Sequence, residues 1–329
     1  MNSENRINRI GILTSGGDAP GMNAAIRAVV RACMFYKIDA VGIYRGYDGL
    51  IANDMKTLDS RSVASIIHRG GTILKSARSM EFKTPEGRIK AAENCRIAGT
   101  DALVVIGGDG TFRGGMIFEQ EHGIPVVGLP GTIDNDLNGT DFTIGYDTAV
   151  NTAAHAIDKI RDTASSHNRL FFIEVMGRDS GQIAMRASIA AGAEATMIPE
   201  KPIGVEELIQ ILEKGAGRKK SSSLVVVAEG GKPGHSIELA KEVTDRFEYY
   251  DTKVTILGHL LRGGSPTVSD RVLASRLGVV AVEYLLKGIS GGMIGIVNNR
   301  INFTPFAEAT GNVSNFDDEM MRIASILSV

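Results

Sequence analysis

The chain has 329 residues, of which 43% are hydrophobic and 22% are charged, as is typical of a globular protein large enough for two packed lobes. The formal net charge is −2 and no long basic run occurs, so neither a nucleic acid nor an anionic membrane is expected as a partner. No segment reaches the roughly 18 consecutive apolar residues of a membrane helix, and residues 1–9 are too polar for a signal peptide. Two isolated cysteines, Cys33 and Cys95, fit free thiols in a cytoplasmic protein.

Short apolar runs alternate along the chain with longer amphipathic stretches. The apolar runs predict strands at 7–13, 40–44, 102–106, 126–129, 170–175, 224–228, 254–257 and 293–297. Helical periodicity predicts helices at 22–36, 87–98, 148–163, 205–214, 236–249 and 270–286. This alternation predicts an α/β fold with mostly parallel sheets, arranged as two doubly wound, three-layer (αβα) lobes with the active-site cleft between them.

Two glycine-rich loops each follow a predicted strand. Residues 14–21 read Thr-Ser-Gly-Gly-Asp-Ala-Pro-Gly, and residues 107–111 read Gly-Gly-Asp-Gly-Thr. Glycines allow the backbone to approach a phosphate closely, and a following helix N-terminus favours an anion. Asp109 is placed either to bind magnesium or to cap a helix. The loops predict phosphate binding, although plain strand-to-helix turns remain an alternative, and they match neither the GxGxxG nor the GxxxxGK[ST] pattern.

A third loop, residues 130–136, carries two carboxylates directly after the apolar run 124–129. On extended backbone, Asp134 and Asp136 project to the same side. Ligands usually bind at the carboxyl ends of strands in open α/β sheets. One carboxylate in such a position can accept a proton from an alcohol while the other helps to hold a magnesium ion. The loop therefore predicts phosphoryl transfer.

Several cations adjoin glycine turns or strand ends, where a phosphorylated sugar would need them. Arg178 follows a predicted strand, and His259 and Arg262 lie three residues apart before two glycines. Glu229 ends the 224–228 run, where it can accept hydrogen bonds from sugar hydroxyls. Each residue alone also fits a solvated surface position, and the histidines show no zinc-ligand spacing.

Taken together, these segments resemble the bacterial type of ATP-dependent 6-phosphofructokinase. The resemblance rests on five motifs that occur in the family's order, at 13–18, 107–110, 130–136, 176–178 and 258–266. GGDGT alone also occurs in lipid and NAD kinases, but the five motifs together are specific. The resemblance implies that ATP and fructose 6-phosphate give ADP and fructose 1,6-bisphosphate, with Mg²⁺ as cofactor.

The resemblance also implies the roles of individual residues. Asp134 would take the proton from the sugar 1-hydroxyl, Thr132 would position the reacting groups, and Arg178 and Gly17 would stabilise the transferring phosphoryl group. The implied metal ligands are Asp109 and Asp136. The implied ATP-binding residues are Gly17, Tyr47, Arg78, Ser79, Asp109, Gly110 and Thr111. The implied fructose 6-phosphate residues are Thr132, Asp134, Asp136, Arg169, Met176, Gly177, Arg178, Glu229, Lys253, His259 and Arg262.

The same resemblance implies the organisation of the protein. Residues 1–145 and 260–309 would form the larger ATP- and magnesium-binding lobe, and residues 146–259 and 310–329 the smaller fructose 6-phosphate lobe. Arg169 matches an arginine that the family contributes from a neighbouring subunit, which implies a homotetramer. Lys253 stands where the family has a second such arginine, and lysine lacks the bidentate fork.

The resemblance further implies an allosteric site for ADP or phosphoenolpyruvate. Its matching residues are Arg27, Arg31, Arg161, Glu194, Arg218 and Lys220. Ser60 and Ser222 depart from the family pattern, which leaves the identity of the effector and the sign of its effect open.

Two glycines bear on the phosphoryl donor. Pyrophosphate-dependent relatives carry Asp and Lys where this chain has Gly110 and Gly131. Glycine at both positions leaves room for ATP. The alternatives are a pyrophosphate-dependent phosphofructokinase, a kinase for another sugar, and a non-catalytic sugar-phosphate sensor.

Overall fold

The computed structural model describes residues 7–164, 169–218, 222–311 and 318–327. The chain divides into two compact units. Unit 1 consists of Met1–Ile133, Leu137–Asp147 and Arg262–Val313. Unit 2 consists of Asp134–Asp136, Thr148–Leu261 and Ser314–Val329. The assignment of nucleotide to one lobe and sugar to the other stays a prediction.

The strands and helices alternate along most of the chain. The strands are β1 (Arg9–Thr14), β2 (Asp39–Ile43), β3 (Met55–Leu58), β4 (Ala102–Gly107), β5 (Val126–Pro130), β6 (Arg169–Val175), β7 (Ala195–Met197), β8 (Ser222–Ala228), β9 (Asp251–Ile256), β10 (Gly292–Val297) and β11 (Arg300–Pro305). The α-helices are α1 (Met22–Phe35), α2 (Gly46–Ile51), α3 (Pro85–Ile97), α4 (Asp109–His122), α5 (Tyr146–Ala164), α6 (Gln182–Ala191), α7 (Val205–Gly217), α8 (His235–Thr244), α9 (Val268–Leu286), α10 (Phe306–Ala309) and α11 (Asp318–Leu327). Short 3₁₀ helices occur at Glu81–Lys83 and Gly258–Arg262.

Unit 1 contains a seven-stranded sheet with the order β11-β10-β5-β4-β1-β2-β3. The β2–β3 and β10–β11 pairs are antiparallel, and the other pairs are parallel. Thr14 of β1 pairs with Ile106 of β4, and Gly107 of β4 pairs with Pro130 of β5. This register places the carboxyl ends of β1, β4 and β5 side by side, so the three loops that follow them leave the same edge of the sheet.

Unit 2 contains a four-stranded parallel sheet with the order β7-β8-β6-β9. Val175 at the end of β6 pairs with Ala228 at the end of β8, so the segments that follow these strands start side by side. At the opposite end of the sheet, Arg169 of β6 pairs with Asp251 of β9.

Burial explains why these segments form regular structure. Every residue of β4 is buried, as expected for an apolar run in a parallel strand that is covered on both faces. Helix α3 begins with Pro85 at its first position, and the Thr84 side chain caps it by accepting a hydrogen bond from the Gly87 N–H. Each unit has its own apolar core, which contains Phe112 and Phe306 in unit 1 and Phe172 and Leu212 in unit 2.

The predicted α/β fold class is confirmed, and each predicted strand and helix overlaps an observed one. Helix α8 ends at Thr244, five residues before the predicted end at 249. The sequence did not predict β3, β7, β11, α2, α4, α6, α10 or α11. Among the described residues, no helix is both long and apolar enough to span a bilayer.

Candidate active site

The two glycine-rich loops of unit 1 are joined directly by a hydrogen bond. The Thr111 hydroxyl, in the first turn of α4, donates to the Ser15 carbonyl at 3.1 Å, and the bond is buried. The Ser15 N–H in turn donates to the Ile106 carbonyl at 3.0 Å. Because β1 and β4 are neighbours in the sheet, the two predicted phosphate loops form one continuous backbone surface at its carboxyl edge.

An arginine lies against the first of these loops. Arg262 Nη1 donates to the Asp18 carbonyl at 3.0 Å, and a Cβ added to Gly17 would lie 2.7 Å from the same nitrogen. The resemblance implies that Gly17 binds ATP and that Arg262 binds fructose 6-phosphate, and the two residues lie together in unit 1. Any side chain at position 17 would have to displace this guanidinium, and the cation favours an anion at the loop.

The second loop carries Asp109 in the first turn of α4, where its carboxylate accepts from Arg113 Nε at 2.8 Å. Nearby, a Cβ added to Gly108 would lie 3.6 Å from the Cβ of Thr132. Thr132 is only 7% exposed, and the Thr143 hydroxyl donates to its carbonyl at 2.6 Å. The backbone of Thr132 is therefore fixed beside the Gly108 turn.

The two glycines invoked for donor choice occupy different surroundings. A Cβ added to Gly110 would meet no atom within 4 Å. A Cβ added to Gly131 would lie 2.9 Å from Ile106 Cγ2, 3.1 Å from Met22 Cε and 3.3 Å from the Gly107 nitrogen. Gly110 thus borders open space within its unit, whereas a side chain at position 131 would press on the methyl groups of Ile106 and Met22.

Tyr47, which the resemblance placed on the nucleotide side, is buried. It is 4% exposed, its hydroxyl donates to the Thr111 carbonyl at 2.7 Å, and its ring stacks on Phe82 with centroids 3.9 Å apart. Burial raises the pKa of its hydroxyl. Tyr47 therefore stabilises the turn at Thr111 from the buried side. Ser79 accepts a hydrogen bond from the Phe82 N–H, and Arg78 is exposed.

In unit 2, Asp134 is a buried carboxylate beside a cation. It is 4% exposed, and its Oδ2 lies 3.8 Å from Arg178 Nε. The Arg178 side chain is 54% exposed, so its guanidinium is open to a ligand. At this distance the pair is an ion pair without a direct hydrogen bond.

Glu229 organises the loop that carries Arg178. Its Oε1 accepts from the N–H groups of Gly177 at 3.3 Å and Arg178 at 2.9 Å, and the residue is 9% exposed. Gly177 has φ +148°, and a Cβ there would lie 2.4 Å from the Ser180 carbonyl. Glu229 and glycine at 177 together fix the turn, and the partly buried Met176 precedes it.

At the amino end of the unit 2 sheet, two cations share one carboxylate. Lys253 Nζ lies 2.8 Å from Asp251 Oδ1, and Arg169 Nε lies 3.7 Å from Asp251 Oδ2. The hydrogen bond from Lys253 lowers the pKa of the Asp251 carboxyl, and the charge of Arg169 adds to the effect. Asp251 was not predicted from the sequence. The available signal was its position two residues before Lys253. His259 is exposed on the 3₁₀ helix Gly258–Arg262.

The residues predicted to bind an effector are spread over both units. In unit 1, Arg27 and Arg31 lie on the outer face of α1. In unit 2, Arg161 donates to the carbonyls of Ala191 and Gly192, and the buried Glu194 accepts from the Leu224 N–H. Arg218 is exposed at the end of α7, and Lys220 lies outside the described residues.

No group of three or more His, Cys, Asp or Glu side chains that could hold a metal occurs within the described parts of the chain. Magnesium in kinases is usually held by one or two carboxylates together with the substrate phosphates. Asp109 in unit 1 and Asp136 in unit 2 are each only partly buried.

Asn23 is a further buried polar residue near the candidate site that was not predicted from the sequence. It is a polar residue inside the apolar start of α1 and is only 1% exposed. Its amide bonds to three backbone groups of residues 69–73. A buried asparagine on an apolar helix face was the available signal.

Comparison with known proteins identifies the family. The family model described as Phosphofructokinase matches residues 9–285. The chain is similar to ATP-dependent 6-phosphofructokinase 1 of Thermus thermophilus, with 54% identity over 321 residues that cover 98% of this chain and 99% of that protein. It is also similar to ATP-dependent 6-phosphofructokinase 2 of Bacteroides thetaiotaomicron, with 53% identity over 97% of this chain and 98% of that protein.

Solved structures agree with this result. The phosphofructokinase of Saccharomyces cerevisiae matches with a TM-score of 0.89 and 35% identity over 98% of this chain, which spans 48% of the yeast chain. A pyrophosphate-dependent phosphofructokinase of Nitrosospira multiformis matches with a TM-score of 0.84 over 98% of this chain and 92% of that one, but its 20% identity shows the fold alone. Because the family model covers most of the sequence and the curated relatives are similar over nearly their full length, the chain belongs to the phosphofructokinase family.

Proposed function

We propose that the protein is an ATP-dependent 6-phosphofructokinase. It transfers the γ-phosphoryl group of ATP to the 1-hydroxyl of fructose 6-phosphate, giving ADP and fructose 1,6-bisphosphate in the committed step of glycolysis. The observation that carries this proposal is the 54% identity, over 98% of this chain, to a Thermus thermophilus protein named for that activity. We also propose that the enzyme works in the cytoplasm.

In the proposed reaction, Asp134 is the base. It accepts the proton of the sugar 1-hydroxyl as that oxygen bonds to the γ-phosphorus, and the bond to the bridging oxygen breaks to release ADP. Its low exposure of 4% and the nearby Arg178 support this role, since both groups are held by the fold. Phosphoryl transfer depends mainly on positioning and charge neutralisation. We assign positioning to Thr132, and charge stabilisation to Arg178 and the backbone of Gly17.

ATP is the co-substrate, and we propose Asp109 and Asp136 as the carboxylates that hold its Mg²⁺. When bound, the ion would neutralise the negative charge that develops on the phosphate groups during transfer. The remaining nucleotide contacts are assigned to Arg78, Ser79, Gly110 and Thr111, with Tyr47 as support for the Thr111 turn. Asp109 lies at the N-terminus of α4, where the joined glycine loops of unit 1 favour the phosphates.

For fructose 6-phosphate, we assign Glu229 to the sugar hydroxyls and the cationic residues to the phosphate. The proposed sugar-binding residues are Met176, Gly177, Arg178, Glu229, His259 and Arg262, with Arg169 and Lys253 supplied to the site of a neighbouring subunit in a homotetramer. We further propose an anionic effector, ADP or phosphoenolpyruvate, at Arg27, Arg31, Arg161, Glu194, Arg218 and Lys220.

The open space beside Gly110 supports ATP as the donor. Because a Cβ at this position would touch nothing within 4 Å, the backbone of the loop is accessible to a nucleotide. Gly131 gives weaker support for the choice of donor, because a side chain there would also have to displace the methyl groups of Ile106 and Met22.

The test is the initial rate of fructose 1,6-bisphosphate formation from fructose 6-phosphate and Mg²⁺, with ATP in one arm and pyrophosphate in the other. We expect product with ATP alone. Product with pyrophosphate alone would overturn the choice of donor and leave the acceptor intact. No product in either arm, from protein that still binds fructose 6-phosphate, would favour a sugar-phosphate sensor.

A further inference from the structure

One segment of unit 1, residues 68–75, contacts both of the loops that hold Gly17 and Arg262; we name it the bridging loop. On one side, the Thr14 hydroxyl lies 3.0 Å from the Thr72 hydroxyl and donates to the Lys75 carbonyl at 2.7 Å. Thr14 directly precedes the Ser15–Gly17 turn. The bridging loop therefore supports the first glycine loop through the residue at its base.

On its other side, the bridging loop meets the segment that follows Arg262. The Ser265 hydroxyl donates to the His68 carbonyl at 2.6 Å. A Cβ added to Gly70 would lie 2.2 Å from the Gly264 carbonyl, so the two backbones are in close contact. The loop thus contacts Thr14, which precedes the glycine turn, and Gly264 and Ser265, which closely follow Arg262 along the chain.

Asn23 fastens this loop to α1. Its Nδ2 donates to the carbonyls of Arg69 and Gly70, each at 3.1 Å, and its Oδ1 accepts from the Ile73 N–H at 2.7 Å. The side chain is 1% exposed, and both ends of the amide are used. A single buried amide that satisfies three backbone groups holds a loop that has no regular structure of its own.

We propose that Asn23 is a positioning residue of the nucleotide site. In this role Asn23 contacts neither substrate but holds the bridging loop in place. The loop contacts Thr14 and Gly264, and through them it fixes the positions of the Gly17 turn and Arg262. This inference rests on the proposed function only in taking the Gly17 turn as the place where ATP phosphates bind. Its consequence is that Asn23 affects nucleotide affinity more than it affects sugar affinity.

The matched control is Asn94 in α3. Its Nδ2 also donates to two backbone carbonyls, those of Leu50 at 3.0 Å and Ile51 at 2.8 Å, within the same unit. Neither carbonyl belongs to the predicted site. Asn94→Ala therefore removes two hydrogen bonds to backbone carbonyls and reports the purely structural cost of losing a partly buried amide.

The experiment measures MgATP affinity by equilibrium binding, and KM for both substrates, in wild type, Asn23→Ala and Asn94→Ala. We expect Asn23→Ala to weaken ATP binding about tenfold and to raise KM for ATP equally, with KM for fructose 6-phosphate changed less than about threefold. Amide hydrogen exchange should speed up in residues 68–75 of this variant. Asn94→Ala should lower Tm but leave both KM values near those of wild type.

Thr72→Val provides a second test that does not disturb α1, because it removes only the hydroxyl that contacts Thr14 and accepts from the Leu74 N–H. It should shift ATP affinity in the same direction by about threefold, and it decides the matter if Asn23→Ala does not fold. Wild-type protein that binds no ATP would overturn the proposed function together with this inference. ATP binding by wild type with unchanged affinity in the folded variants, or equal shifts in both KM values, would overturn the positioning role alone.

Discussion

The glycine loops of unit 1 and the Arg178 loop of unit 2 hold their backbones by different chemistry. In unit 1 the donors are hydroxyls and the acceptors are carbonyls, as in the bonds from Thr111 to Ser15 and from Tyr47 to Thr111. In unit 2 a carboxylate accepts from the backbone, as Glu229 does from Gly177 and Arg178. Neutral bonds of the first kind contribute about 1 kcal/mol each, whereas bonds to charged groups contribute about 1.5–3 kcal/mol. Substitutions of the groups that hold these loops should therefore have larger effects in unit 2.

The largest effect is expected at Asp134, the buried carboxylate of unit 2. Replacing it with serine removes the proposed base, so kcat should fall on the order of 10²–10⁴-fold while KM for fructose 6-phosphate changes little. Steady-state kinetics with saturating MgATP would measure both constants. Asp245→Ser, at an exposed carboxylate that ends α8, changes the net charge equally and should keep kcat. Near wild-type turnover in Asp134→Ser would refute the assignment of the base.

The next largest effect is expected at Glu229. Glu229→Ala leaves the N–H groups of Gly177 and Arg178 without their acceptor, at a cost of about 1–3 kcal/mol, and should lower kcat/KM for the sugar about 10- to 100-fold. Glu229→Gln keeps an oxygen at the same place and loses only the charge. The ratio of the two variants separates backbone positioning from contact with the sugar.

If Glu229→Gln is as inactive as Glu229→Ala, activity depends on the negative charge of Glu229 rather than on its role in holding the loop. That result would remove the contrast drawn between the two units. A Gln variant with most of the wild-type kcat would strengthen it, since the neutral acceptor would then be sufficient to hold Arg178 in place.

The sequence predicted these loops well because their signals are local. A glycine turn after an apolar run identified residues 14–21 and 107–111 directly, and both occur at the ends of parallel strands. Helix α4, which the second loop starts, was missed. It contains Gly114 and Gly115, which lower helix propensity; added Cβ atoms there would lie 3.1 Å from Tyr47 Cε2 and Val126 Cγ1, respectively. Close packing of α4 against Tyr47 and Val126 therefore outweighs the low helix propensity of these glycines.

What the sequence could not provide are contacts between residues far apart along the chain. Glu229 was predicted as a sugar ligand, but its bonds to residues 177 and 178 depend on the neighbouring ends of β6 and β8. Asn23 reaches a loop about fifty residues away, and no local pattern encodes that pairing. Lys253 was recognised as a departure from the family, yet Asp251 beside it gained meaning only from the register of β9 with β6.

A smaller effect is expected at Gly110, and it tests the accessible backbone of unit 1. Gly110→Asp places a carboxylate in open space near the proposed phosphate path, so KM for ATP should rise about tenfold through charge repulsion. The Tm should stay close to that of wild type because nothing lies within 4 Å of the new Cβ. Gly131→Lys provides the contrast, since it should lower Tm by forcing Ile106 and Met22 apart. Unchanged ATP kinetics in Gly110→Asp would mean that Gly110 does not determine the choice of phosphoryl donor.

The smallest effect is expected at Lys253 on the exposed edge of unit 2. The Lys253 side chain is 47% exposed and its ammonium already contacts Asp251 at 2.8 Å, so solvent and this carboxylate both weaken its attraction for a phosphate. Lys253→Arg adds a planar fork that can pair with a phosphate through two parallel bonds. KM for fructose 6-phosphate should therefore fall about two- to fivefold with kcat unchanged. Lys241→Arg on α8 is the control for the extra guanidinium. A fall of the same size in both variants would mean that the effect does not come from a guanidinium fork at this edge.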